Sequence, residues 1–260
     1  MKSSILQNKK IKAVIALIFW TGVWYALAWI MGKEIFLPFP HTVVERFGAL
    51  LVQPGFLKIV FASLVRILLG FAVGTILGFL LAVLTNYFEF AETIVSPFIR
   101  IIRATPVVSF ILLAYLWLNN DTIPVFIALL MVAPIIWQNV SSGFSNLDVN
   151  LLEMADVFKI KRTKKFFKII MPQLRPHLYS GCLTSLGLAW KSGIAAEVIS
   201  YPQIAIGKEM NEAKVLLETA DVFVWTVTLI ILSLIFETLF KFLFKRNALK
   251  TQVRMVDKDD

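Results

Sequence analysis

The sequence predicts an all-α integral membrane protein with six transmembrane helices and both termini on the cytoplasmic side. Three observations predict it. Residues of the AVILMFWYC set make up 58% of the 260 residues and charged residues only 17%, against roughly 45–50% and 25% in an average soluble chain, and mean hydropathy is +0.77. The apolar residues fall into six runs close to the ~20 residues a helix needs to cross a bilayer core. Lysine and arginine are dense and sparse by turns in the segments joining those runs, the pattern left when basic segments stay in the cytoplasm. A water-soluble fold is excluded, and 22 Phe with 7 Trp exclude a solvated, disordered chain.

The expected spans are residues 11–31, 60–84, 101–118, 122–143, 177–199 and 222–244 of one transmembrane domain covering 1–260. The first follows Lys9, Lys10 and Lys12 and contains Ala26-Leu27-Ala28, as a signal peptide would. Its apolar run is longer than a signal core and continues past the small residues to Met31, so it reads as a retained span. With the amino terminus inside, nineteen basic residues fall on inner segments. They comprise Lys2 to Lys12, Arg100 and Arg103, seven from Lys159 to Arg175, and six from Lys241 to Lys258. Outer segments hold five, Lys33, Arg46, Lys58, Lys208 and Lys214. The net charge of +9 is therefore a consequence of topology and needs no nucleic acid, although a basic face also attracts anionic membrane lipid. Cys182, His41 and His177 are too few for a structural metal set, and one cysteine cannot close an intrachain disulfide.

Within the spans, Gly70, Gly74 and Gly78 share one helix face and invite close packing, either inside the subunit or against a second copy. Arg66, Lys191 and Glu197 are intramembrane charges, costly and therefore informative. Arg66 lies near the outer end of its span and is expected to anchor there by reaching water or headgroups. Lys191 and Glu197, six residues apart, do not face each other on a helix; each is expected to meet a charge on another helix, or Lys191 to face a pathway and an anionic solute. Outside, Met210, Ala213 and Leu217 recur at helical spacing, with Glu209, Glu212, Glu218 and Asp221 on the wet side, which reads as a lip helix over 205–220.

The inner loop 144–176 is the most informative segment. Its first half, NLLEMADVF from Asn150, sets Leu151, Leu152, Ala155 and Phe158 on one helical face and Glu153 and Asp156 on another. Its second, TKKFFKIIMP from Thr163, sets Phe166, Phe167, Ile169 and Ile170 against Lys164, Lys165 and Lys168, and Pro172 is expected to stop it. Such helices float on lipid as readily as they dock a partner.

The spacing resembles one family. Glu153-Met154-Ala155, three residues, Lys159, nine residues, then Ile169-Ile170-Met171-Pro172 is similar to the cytoplasmic E-A-A, three, G, nine, I-x-L-P loop of the permease subunits of ATP-binding-cassette importers. Lys159 stands where the family has glycine; a lysine takes a left-handed turn only at a cost, so the bend is expected to be helical or less sharp here. LPFPHTVVERF from Leu37, SLVRILLGFAVGTILG from Ser63, PFIRIIRATPVVSF from Pro97 and LAWKSGIAAEVIS from Leu188 resemble the nitrate, sulfonate and taurine branch in the same order.

The resemblance implies the type I importer permease fold and a prokaryotic inner (cytoplasmic) membrane. It implies a loop, Glu153, Ala155, Asp156, Lys159, Ile169 and Pro172, that couples to two cytoplasmic ATP-binding subunits, together with a second permease copy and an extracytoplasmic substrate-binding protein. Cargo in that branch is a small anion such as a sulfonate or nitrate, or a small heterocyclic vitamin precursor. ATP and Mg are expected on the partner, since this chain lacks a glycine-rich loop ending in Gly-Lys-Ser/Thr, so it is expected to bind no cofactor and to catalyse nothing. An ion-coupled carrier or channel is the rival reading, which the absence of an internal repeat disfavours. A membrane enzyme lacks its HExxH or nucleophile-elbow motif.

Overall fold

The computed structural model describes residues 9–256, with side chains for 11–242. Among the counted inner charges, Lys2 and Lys258 lie outside the described residues, as do the side chains of Lys9, Lys10, Lys245, Arg246, Lys250 and Arg254. The fold is helical throughout the described residues.

Helix α1 (Lys9–Met31) coincides with the first expected span and is mostly exposed; its contacts include buried Ala28, Tyr25, whose hydroxyl lies 3.0 Å from His41 Nδ1, and Trp24, whose Nε1 donates to Pro38 O at 3.0 Å. The amphipathic α2 (Pro40–Val52) begins at a proline, whose missing N–H is no loss in a first helical turn. Gly55, at φ +110°, turns the chain into α3 (Phe56–Tyr87), 32 residues and about 48 Å long.

The third expected span, 101–118, is corrected by the structure. It is divided between α4 (Glu89–Ala104) and α5 (Val107–Ala114), two helices meeting at 102°. Pro106 is the cause: its ring excludes the helical conformation from the preceding residue, and Thr105 is extended at φ −85°, ψ 133°. Eight residues of α5 rise only about 12 Å, so α5 alone is too short to cross a bilayer.

Helix α6 (Ile123–Ser145) is the buried centre. Along α3, Gly70, Gly74 and Gly78 bring the two backbones together: a Cβ there would lie 2.5 Å from Val125 O, 2.8 Å from Val132 Cβ and 2.5 Å from Ala133 O respectively. The small-residue face is thus used within the subunit. Trp137 Nε1 donates to Thr85 Oγ1 at 3.0 Å, adding a polar tie between the same helices.

Helix α7 (Val149–Val157) and the single turn α8 (Arg162–Lys165) form a foot at the end of the bundle where α3 and α6 finish. From α8 the chain passes through a π-helical turn, Phe166–Ile170, straight into α9 (Met171–Ser200). Pro172 therefore does not stop a helix, contrary to expectation. Its ring would clash with the carbonyl four residues back in a regular helix; the wide turn just before it, in which Met171 N reaches Phe166 O, relieves that conflict. Helix α9 packs on α6 through Gly143 against His177 and Gly181 against Asn139, and on α3 through Gly193 against Ile67. Then follow α10 (Ile206–Val215) and α11 (Thr219–Val256), which receives the Trp190 indole at Leu229 O, 3.2 Å away.

Among the described residues, four helices (α1, α3, α6 and the apolar part of α11) are long and apolar enough to cross a membrane, and the bent α4–α5 pair makes five if it counts as one span. Helix α9, which holds the expected fifth span, has 30 residues, about 45 Å, but carries Arg175, Lys191 and Glu197 and many serines and glycines.

Candidate functional site

The foot is built from local rules. Asp148 caps α7: its Oδ1 accepts from Asn150 N at 2.9 Å and Leu151 N at 3.4 Å, supplying acceptors to free amides of the first turn. Asp148 N donates in turn to Gln173 Oε1 at 2.9 Å, which fastens the start of the foot to α9. At the other end, Lys159 N donates to Asp156 O at 3.0 Å and Ile160 N to Ala155 O at 2.9 Å. This is the Schellman pair that closes a helix with a left-handed residue, and Lys159 takes that conformation at φ +50°. The expected helical or less sharp bend is therefore corrected: Lys159 accepts the left-handed conformation and the turn is sharp.

Ala155 is fully buried beneath the foot. Asp156 accepts from Lys165 Nζ at 2.7 Å, joining α7 to α8. Glu153 is exposed, as are Met154, Val157 and Phe158, the last two at 77% and 74%. The expected apolar face is therefore not a buried face: Leu151 and Phe158 are open and only Ala155 is sealed. Ile169 is half-buried where the π turn meets the bundle, and Pro172 is exposed. The result is a braced, protruding element with an apolar tip rimmed by Glu153 and Lys159, the composition of a docking knob.

Two of the three intramembrane charges, Arg66 and Glu197, converge at the opposite end. Arg66 is only 15% exposed, so the expected anchoring in water or headgroups is corrected. Its Nη2 donates to Asp121 Oδ1 at 2.6 Å and its Nη1 to Ile204 O at 2.6 Å, with Glu197 Oε1 at 3.4 Å. Glu197 is fully buried; its Oε2 accepts from Ser63 Oγ at 2.7 Å and from Gly207 N at 3.2 Å, while Ser63 Oγ accepts from Ile206 N at 2.8 Å. The partners come from several elements, so the network ties α3, α9, α10 and the α5–α6 turn together. Sequence reading missed Ser63, Asp121 and Gly207. The only signal was Ser63 lying one turn before Arg66, on the same helix face. Lys191 is exposed and forms no ion pair among the described residues.

The expected lip helix is also revised. Asp221 is buried, not wet: its carboxylate takes Arg46 Nε at 2.5 Å and Nη2 at 2.9 Å. Leu217 is 64% exposed at φ +60° in a second Schellman closure, Glu218 N to Ala213 O at 2.8 Å. Burial, then repulsion from Glu212, raises the Glu209 carboxyl above its ordinary range, with Lys208 opposing. Among the described residues no group of three His, Cys, Asp or Glu could hold a metal ion.

Residues 74–248 match the family of binding-protein-dependent transport system inner membrane components. A probable ABC transporter permease protein of Brucella melitensis biotype 1 is 30% identical over 84% of this chain and 88% of its own length. The nitrate import permease protein of Synechocystis is 26% identical over 76% of this chain and 74% of its own. Among solved structures, an amino acid ABC transporter crystallised with histidines aligns at a TM-score of 0.58 with 16% identity, covering 71% of this chain and 90% of that one, a likeness of fold. The chain is thus a multi-pass membrane protein and belongs to the binding-protein-dependent transport system inner membrane components, the permeases of ABC transporters.

Proposed function

We propose that this permease carries a small anion, such as nitrate or a sulfonate, into a prokaryotic cell through its inner membrane, driven by ATP hydrolysed on separate cytoplasmic subunits. In this reading α9 and the α4–α5 pair complete six spans, both termini are cytoplasmic, and two copies of the chain enclose the path. The foot of α7 and α8 sits in a groove on each of two ATP-binding subunits, which hold ATP and Mg, and α10 meets an extracytoplasmic binding protein. The mechanism is a population shift: nucleotide draws the ATP-binding subunits together, the seated feet move as rigid bodies, and the helices reopen to the other side. Likeness to a nitrate importer supports the anion.

One observation carries the reading. The foot is exposed at its tip yet braced at both ends, by Asp148 to Gln173 and by Asp156 to Lys165, so that force applied at Met154 and Phe158 passes into α9. The test is uptake of labelled nitrate and of an alkanesulfonate by vesicles carrying the purified assembly. The account expects uptake only with ATP inside and binding protein outside. Uptake driven by an ion gradient without ATP would establish the rival, an ion-coupled carrier.

A further inference from the structure

The exposed residues of α9 differ in kind from those of the other long helices. On α3, α1 and α11 most open positions are large and apolar, for example Leu69, Ile76 and Leu80, Leu17 and Ile18, Ile231 and Leu234. That is what lipid contact selects. In the middle of α9, from Ser180 to Lys191, the open positions are Ser180, Thr184, Gly187, Leu188 and Lys191, all within one stripe. Leu188, at 36%, is the large apolar side chain among them. A Cβ at Gly187 would meet nothing within 4 Å.

The stripe lies on a defined side. Helix α3 covers one flank of the α6–α9 pair through the glycine contacts, and Trp190 turns the next face of α9 toward α11. Gln138 and Ser142, open residues of α6, fall on the flank away from α3, next to the α9 stripe. There Arg103 of α4, itself exposed, donates from Nη1 to Gln138 Oε1 at 2.5 Å. Asn139, the neighbour of Gln138, abuts Gly181, which sets Arg103 at the level of Gly181. Lys191 stands ten residues further along α9, about 15 Å away along the axis. Helix α6 contains no acidic residue, and the acid of α9, Glu197, is buried against Ser63 and Arg66. The open flank thus presents two cations, hydroxyls and an amide, with no carboxylate from either helix. An exposed lysine inside a span is expensive against lipid and tolerable against water.

We infer that this polar flank of α6 and α9 is the wall of a water-filled path that selects small oxyanions, with Lys191 and Arg103 as two successive cationic rungs. The inference rests on the permease reading and deepens it, because it names the residues that meet the anion. An anion passes from one rung to the next, held at each by charge and hydroxyl donors weakly enough to leave.

The test is thiol accessibility in the whole assembly in vesicles, with Cys182→Ala as background. Ser180→Cys, Thr184→Cys and Gly187→Cys are treated with anionic and cationic methanethiosulfonates, each rate taken relative to a free thiol, with Leu80→Cys and Leu234→Cys as lipid-face controls. The expected result is reaction at the three stripe positions and not at the controls. At Thr184→Cys the anionic reagent should be favoured by about ten-fold, falling to near unity when Lys191→Gln is added. Stripe thiols as unreactive as the controls, spontaneous disulfides between two copies without reagent access, or an anion preference untouched by Lys191→Gln would each overturn the inference. Co-purification of the ATP-binding subunit is scored on the same samples. Its presence with a closed stripe removes this inference alone, and its absence removes the permease assembly on which the inference stands.

Discussion

Glu197 shows what one buried carboxylate does in this fold. It accepts from Ser63 and Gly207 and faces Arg66, so removing it leaves a guanidinium, a hydroxyl and an amide short of an acceptor. Glu197→Ala is expected to cost about 3–5 kcal/mol, read as a lower denaturation midpoint of the purified chain. Glu197→Gln keeps an acceptor for Ser63 and Gly207 and is expected to lose clearly less; equal midpoints for the two variants would contradict the network. Lys159 carries a different residue-scale cost, a side chain in a left-handed turn. Lys159→Gly is expected to stabilise the end of α7 by about 1 kcal/mol, seen as roughly five-fold slower exchange of the Ile160 amide; faster exchange would mean the turn is held by something other than its Schellman bonds. The register that placed a special residue at 159 was legible, because spacing survives in a linear string. The partners of Arg66 were not, since Asp121 is 55 residues away and Ile204 138, and a single sequence carries no record of such pairings.

Among the elements, the α3–α6 contact depends on absent side chains. A methyl group at Gly74 would sit 2.9 Å from Leu129 O, a backbone atom that cannot step aside. Gly74→Ala is expected to destabilise by about 1–3 kcal/mol, whereas Gly48→Ala, with open space around it in α2, is expected to be neutral or stabilising. Thermal denaturation of the two variants side by side checks this. Helix α10 should respond to pH. The Glu209 carboxyl is raised above its ordinary value of 4.5, chiefly by burial. A raised carboxyl contributes stability that is full below the ordinary value and is lost as pH rises through the raised one. Amide exchange in α10, corrected for intrinsic rate, should therefore show more opening at pH 7.5 than at pH 5, and Glu209→Gln should abolish the difference. Element existence was largely readable from hydropathy, yet the third span was not. The Thr105-Pro106 break is present in the sequence, but averaging over an apolar window conceals it, and only the bond geometry shows a turn of 102°. The end of the foot was misread at Pro172 for a related reason: the rule that proline stops a helix assumes regular turns, and a π turn relaxes it.

Across the whole molecule, the foot, the polar flank and the Arg66–Glu197 network share one helix. Helix α9 begins at the foot, runs past the polar flank and ends in the Arg66–Glu197 network, so in the proposed mechanism a movement of the foot would reach both without an intervening loop. The order of the long apolar helices and the position of the foot between α6 and α9 were legible, because they follow from apolar runs along the chain. The polar flank was not, since Ser180, Thr184 and Lys191 acquire a common meaning only once neighbouring helices cover every other face of α9. The most direct measurement of the central claim uses Glu153→Lys, a change at an exposed tip residue that no fold contact requires. In the assembled transporter, ATP hydrolysis and uptake of the anion are followed together. The account predicts an intact, membrane-inserted protein whose hydrolysis no longer drives uptake, with the ratio of anion moved to ATP spent falling at least ten-fold. A wild-type ratio in that variant would contradict it.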